Sequence, residues 1–252
     1  MVLIKNQIAI KLIVTCLNEE GNVKIFIDEL MASLPSKINI AIVLVNNGSH
    51  DRTGIIIDAL AQNYSCITTF HRKNTLHYGE SILNACKYPL NFSPDYIGWA
   101  SSDNQISGKD VAKTLKVLAF EKPAFIKGIR YDKKYSLWRK IQSYGFDVII
   151  SILFKRKIKD INGSPKFFRV ELLHLLDLQG KGWFLDGEIY LKMCQLMKKT
   201  DYIYIPVRFN ERKHGKSKTY WFTAFELLIQ VIQFRVFGMT KWLKQVNETR
   251  IS

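Results

Sequence analysis

An α/β fold with a mostly parallel central sheet and flanking helices is what this sequence predicts. Three observations carry that expectation. Over the first 130 or so residues, short β-rich apolar runs alternate in strict turn with longer helical patterns. Neither an internal repeat nor a Gly/Ser linker interrupts the chain, so its main body reads as one continuous domain. Polar clusters directly follow three of the expected strands, and in such sheets ligands bind at the carboxyl ends of the strands.

The elements follow in order. Ile8 to Leu17, Ile40 to Val45, Cys66 to Phe70, Tyr96 to Ala100 and Ala124 to Lys127 are runs of β-branched and aromatic residues, expected as buried strands. Val23 to Leu34, Thr53 to Gln62, Tyr78 to Lys87 and Gly108 to Phe120 carry helical patterning, and Ser107-Gly-Lys-Asp110 is a capping box for the last of them. Further on, helices are expected over Ser136 to Phe154, near Val170 to Leu178 and near Asp186 to Lys198. Between the first two of these come the basic run Lys155 to Lys159 and a turn at Asn162-Gly-Ser-Pro165; a strand at Tyr202 to Val207 closes the series. Residues 1–218 are thus one domain and 219–252 a helical extension.

In that extension Trp221 to Phe237 is apolar except for a narrow stripe, Thr223, Glu226, Gln230 and Gln233, at helical spacing, with Arg235 beside it. Two readings stand: a helix packed on the core or in a homo-oligomer interface, or an interfacial helix on a membrane with Trp221, Trp242, Lys241 and Lys244 as headgroup anchors.

Composition excludes several classes. With 47% hydrophobic and 23% charged residues among 252, the chain is globular and not disordered. Lys and Arg number 37 against 22 Asp and Glu, a net +15 that calls for an anionic partner. Cys16, Cys66, Cys86 and Cys194 form no C-x-x-C pair, so reduced thiols in a cytoplasmic protein are expected. Lys5 and Lys11 break the apolar start, which speaks against a signal peptide, and no window suits a spanning helix. The absence of G-x-G-x-x-G after a strand, of a P-loop and of G-x-S-x-G argues against dinucleotide, nucleotide triphosphatase and hydrolase chemistry. The basic clusters carry no base-reading motif, so nucleic acid is not the expected partner.

The clusters at the strand ends are Asn18-Glu-Glu20, Asn46-Asn-Gly-Ser-His-Asp51 and Ser101-Ser-Asp-Asn-Gln105. Singly, each suits a cap or turn; together they converge on one sheet edge. With Arg212-Lys-His-Gly-Lys-Ser-Lys218 they resemble, in order, the signatures of family-two glycosyltransferases of GT-A fold. The similarity is greatest to the dolichol-phosphate mannosyltransferase-like, or polyprenyl-phosphate glycosyltransferase, branch.

What the resemblance implies is an inverting, membrane-associated transferase that moves a sugar from a UDP- or GDP-sugar to a lipid phosphate or glycan acceptor, peripheral on the cytoplasmic face. Leu17, Asn18, Glu20 and Asn47 would hold the nucleoside, with Ser101 and Ser102 beside the donor. Asn46 and Asn47 stand where the family usually has aspartates. Asp103 and Gln105 would hold Mg²⁺ or Mn²⁺, with one carboxylate where the family has two. Arg212 and Lys218 would close over the donor diphosphate, and Arg130, Arg139 and Ser143 would hold an acceptor phosphate. Such an acceptor, already ionised, needs alignment and little or no base, whereas a hydroxyl acceptor needs a carboxylate base, for which Asp160, Asp186 and Glu188 are the candidates. Asp160 also neighbours Lys157 and Lys159, and Glu188 suits a buried pair, so structural ion pairs are the alternative for both. A catalytically degenerate nucleotide-sugar-binding protein is a further reading.

Overall fold

A computed structural model describes residues 7–36, 38–132, 160–196, 201–212 and 229–251, and the isolated positions 145, 148 and 151. Arg139, Ser143, Lys218 and Trp221 lie outside the described residues, as does most of the helix expected over Ser136 to Phe154.

Among the described residues, seven strands form one sheet: β1 (Ile8–Cys16), β2 (Ile38–Asn46), β3 (Ile67–His71), β4 (Tyr96–Ser101), β5 (Phe125–Tyr131), β6 (Lys166–Arg169) and β7 (Tyr202–Arg208). Their order is β3-β2-β1-β4-β6-β5-β7. β1 runs parallel to β2 and β4, β2 to β3, and β5 to β7; β6 is antiparallel to both its neighbours, wedged between β4 and β5. Six strands therefore end on one edge, and the chain entering β6 starts from that same edge. The order reverses at β1, which places a crevice between the ends of β1 and β4, where ligands of open α/β sheets sit.

The helices are α1 (Val23–Ser33), α2 (Thr53–Asn63), α3 (Tyr78–Cys86), α4 (Gly108–Glu121), α5 (Val170–Leu176), α6 (Phe184–Leu196) and α7 (Met239–Ile251). Ser107 caps α4 as its sequence implies: its hydroxyl accepts from the Asp110 N–H at 3.1 Å and donates to the Asp110 carboxylate at 3.0 Å. Alternate residues of β1 feed two apolar layers. Leu12 and Val14 pack with Phe26, Leu30 and Leu115 on one face, and Ile13 packs with Trp99, Phe168 and Leu185 on the other. A strand covered on both faces is apolar along nearly its whole length, which is why β1 reads as a near-continuous apolar run. Its exception, the buried Lys11, donates from Nζ to the Cys86 and Tyr88 carbonyls, each at 2.7 Å, and so satisfies the end of α3.

Three details depart from expectation. β6 was not expected; it pairs Phe167 with Gly98, where a Cβ would stand 2.1 Å from the Phe167 ring, so only glycine admits that strand. A π-helical turn at Phe234–Gly238 precedes α7. Trp242, a headgroup anchor on one of the two readings of the extension, is instead buried with Leu191, Phe184 and Val231, as the packed-helix reading has it, and its indole N–H donates to the Leu175 carbonyl at 3.3 Å. Trp242 therefore faces the protein, while Ile229, Ile232, Val236 and Phe237 are exposed. Among the described residues no helix is long and apolar enough to cross a membrane.

Candidate active site at the strand ends

The parallel register sets Thr15 beside Ser101 and Cys16 beside Asn46, so the three polar clusters emerge side by side. Beyond β1, Asn18 adopts the left-handed conformation, φ 57°, which asparagine tolerates better than most residues. Its N–H donates to Ser49 Oγ at 3.0 Å and its Oδ1 accepts from the His50 N–H at 2.9 Å, tying the loops after β1 and β2 together.

That turn sends the next two glutamates opposite ways. Glu20 stays exposed; its Oε2 accepts from the Arg52 N–H at 3.0 Å near the start of α2. Glu19 is buried, 5% exposed. Its Oε2 accepts from Asn22 Nδ2 at 2.6 Å and its Oε1 accepts from Arg212 Nη2 at 2.8 Å. Burial pushes the Glu19 carboxyl above the usual carboxylate range, against the pull of Asn22 and Arg212. The sequence reading selected Glu20 and missed Glu19; the signal available was only that both glutamates follow an asparagine able to turn the chain.

Arg212 also donates to Asp103 Oδ2 at 3.2 Å, so one guanidinium bridges the loop after β1 and the loop after β4. Its segment is docked by β7 and by the Asn210 N–H, which donates to the Gln105 carbonyl at 2.8 Å. Asp103 Oδ1 accepts from the Gln105 N–H at 3.1 Å, and the Asp103 N–H meets Ser101 Oγ at 3.4 Å. Ser102 is turned inward, its hydroxyl donating to the Thr15 carbonyl at 3.0 Å. Leu17 is half-buried in the same loop. The structure thus brings Leu17, Asn18, Ser101, Asp103, Gln105 and Arg212 to one crevice and turns Ser102 toward the sheet.

The asparagines at the end of β2 are both engaged. Asn47 donates from Nδ2 to the Leu76 carbonyl at 2.9 Å while its Oδ1 accepts from the Leu76 N–H at 3.1 Å, a reciprocal pair that an aspartate cannot complete. Asn46 Oδ1 accepts from the Ser49 N–H at 2.9 Å.

A second charged group lies beside the crevice, around the entry to β6. Asp160 receives the Arg130 backbone N–H at 2.8 Å and its guanidinium at 2.6–3.1 Å. Lys166 pairs with Asp186 at 2.7 Å, and Glu188 pairs with Lys192 at 2.7 Å while accepting from the Gly180 N–H at 2.7 Å. Lys127 is buried beneath, its Nζ donating to the Asp160 carbonyl at 2.9 Å; burial first, and then Lys166, bring its pKa down to about 7. All three carboxylates expected as bases are therefore held by cations. Trp183, which the sequence reading passed over, stacks on Tyr78 at 4.8 Å and keeps part of its surface exposed.

A hard divalent cation fits the donor set in kind, since Asp103 and Gln105 offer oxygen. Among the described residues no group of three His, Cys, Asp or Glu could hold one alone, so water and a diphosphate would complete the shell.

Residues 11–177 match glycosyl transferase family 2, and the chain belongs to that family: it is a glycosyltransferase. It is 26% identical over 232 residues to a dolichyl-phosphate beta-glucosyltransferase of Trichomonas vaginalis, covering 85% of this chain and 69% of that one. An uncharacterized protein of Methanocaldococcus jannaschii is 24% identical over 233 residues, 88% of this chain and 97% of its own. Among solved structures, glucosyl-3-phosphoglycerate synthase from Mycobacterium tuberculosis shares the fold. Its complex with Mn²⁺, UDP-glucose and phosphoglyceric acid superposes with a TM-score of 0.69 at 14% identity, covering 90% of this chain and 79% of that one. The GT-A expectation holds.

Proposed function

We propose that this glycosyltransferase moves one sugar, with inversion, from a UDP- or GDP-sugar to a polyprenyl-type lipid phosphate at a membrane surface. Arg212 carries the reading: a half-buried guanidinium bridges Glu19 and Asp103 in the crevice between β1 and β4. Breaking the bond between sugar and diphosphate leaves negative charge on the leaving group, and a cation already fixed there stabilises it without reorganisation. Lys218 is read as its partner on the diphosphate. Leu17, Asn18 and Ser101 would line the donor, with the Asn47 loop at the nucleoside. Mg²⁺ or Mn²⁺ held by Asp103 and Gln105 would add positive charge against the same diphosphate.

The acceptor follows from the carboxylates. Asp160, Asp186 and Glu188 are each tied to a cation, and a tied carboxylate is a poor base for a hydroxyl. A phosphate oxygen is already ionised and asks only for alignment, for which Arg130, with Arg139 and Ser143, is the proposed holder. The dolichyl-phosphate relative supports the same acceptor class. Exposed Ile229, Ile232, Val236 and Phe237, with Lys241 and Lys244 further along, support a peripheral membrane contact, read as on the cytoplasmic face.

The test is transfer of labelled sugar from UDP-glucose, UDP-galactose and GDP-mannose to undecaprenyl phosphate in vesicles, with Mn²⁺, with Mg²⁺ and with EDTA. A lipid-phosphate-linked sugar from one donor is expected, and no product under any condition overturns the reading. A hydroxyl acceptor would show itself by making Asp160, Asp186 or Glu188 nearly indispensable.

A further inference from the structure

The loop after β2 is anchored from behind by residues that no strand-end motif contains. His71, the last residue of β3, lies in register with Asn46, the last residue of β2. Asn46 Nδ2 stands 3.3 Å from His71 Nδ1, and His71 Nε2 stands 2.9 Å from Asp58 Oδ1 on α2. Gly54, in the first turn of α2, leaves room for that contact; a Cβ there would stand 3.0 Å from Asn46 Nδ2.

The protonation state follows from the hydrogen bonds. Asn46 Oδ1 is claimed by the Ser49 N–H, so the amide turns its NH₂ toward the imidazole. A donor facing Nδ1 calls for a lone pair there, and in that tautomer Nε2 carries the proton and donates it to Asp58. The chain continues forward: Ser49 Oγ receives the Asn18 N–H, and Asn18 Oδ1 receives the His50 N–H. Asp58, His71, Asn46, Ser49 and Asn18 thus form one line from the solvent face of α2 to the crevice.

We propose that His71, backed by Asp58, is a positioning residue for the nucleotide: in its neutral form it fixes the Asn46 amide and the loop that this amide holds, and protonation releases both. A proton on Nδ1 faces two amide hydrogens. If the amide turns over to accept it, the Ser49 N–H loses its acceptor; either way one hydrogen bond of the line is lost. Among the described residues, the charged group facing His71 is Asp58 from α2, β2 presents the uncharged Asn46, and Arg72 next along the chain lies over the Phe70 ring. The inference rests on the donor-site reading above.

The experiment measures UDP affinity in the presence of Mn²⁺ by calorimetry between about pH 8 and about pH 5.5. It compares the whole chain with His71→Gln and Asn46→Asp. The diphosphate's own protonation is common to all three and cancels in the comparison. One lost hydrogen bond corresponds to an affinity about three- to tenfold weaker at the acid end. His71→Gln, which does not titrate, is expected to lose that excess dependence. Asn46→Asp, whose carboxylate accepts from a protonated Nδ1, is expected to abolish or invert it. Nitrogen NMR of His71 at the higher pH should show the proton on Nε2. UDP binding with the same pH dependence in all three proteins overturns the inference alone. No binding of UDP or GDP at any pH overturns the donor-site reading and the inference with it.

Discussion

Replacing Lys127 with Met tests the buried charge beneath the crevice. Lys127 is 2% exposed and its pKa falls to about 7, because burial penalises the ammonium and Lys166 adds repulsion. In the unfolded chain the same group titrates near its usual value of about 10.4. Below the folded value both states hold the proton and the burial penalty is complete; as pH rises through that value the folded state sheds the proton while the unfolded state keeps it. Stability gained through this residue therefore increases with pH. Integrated between about pH 6 and about pH 9, the difference amounts to about 2–3 kcal/mol. Met preserves length and packing but surrenders the bond to the Asp160 carbonyl, a loss of about 1 kcal/mol that does not depend on pH. Urea unfolding of both proteins across that range is the assay. The wild type should gain on the variant steadily with rising pH, and curves that stay parallel to within about 0.5 kcal/mol would refute a buried, proton-shedding Lys127.

Further consequences are as concrete. Gly98→Ala drives a methyl group into the Phe167 ring and the Lys166 carbonyl, so β6 cannot pair; a loss of about 3 kcal/mol or failure to fold is expected by thermal unfolding. Trp242→Ala empties a site between α6 and the C-terminal helix and should cost about 3–5 kcal/mol, whereas an exposed tryptophan would cost little. Asn47→Asp keeps the acceptor for the Leu76 N–H but sets a carboxylate against the Leu76 carbonyl, an expected loss of about 1–3 kcal/mol that denaturant titration would read.

The fold was largely legible because its central strands are buried on both faces, so β1, β2 and β4 stand out as near-continuous apolar runs, and because Ser107 and Asp110 announce α4 from local chemistry alone. β6 was not legible. Its four residues follow a proline, run directly into α5 and carry two lysine or arginine side chains, and its place depends on a glycine some seventy residues earlier. The crevice could be located from the polar clusters, but which glutamate enters it could not. The inward turn of Glu19 follows from the backbone at Asn18 and its bond to Ser49, contacts between loops that adjacency in sequence does not encode. The same holds for Trp242. Its apolar neighbours fit a membrane face equally well in sequence, and packing against Leu191 and Phe184 decides the direction.

A donor site for a nucleoside diphosphate assembled around Asp103 should show in the thermal stability of the whole chain. The ligands are UDP and GDP, each with Mn²⁺, with Mg²⁺ and with EDTA, and the comparison is with Asp103→Ala. A ligand at about a hundred times its dissociation constant stabilises by about 2.7 kcal/mol, an easily measured shift. A shift is expected for one nucleotide, dependent on the cation and lost in Asp103→Ala. A shift that survives both EDTA and the substitution, or none with either nucleotide, would contradict it.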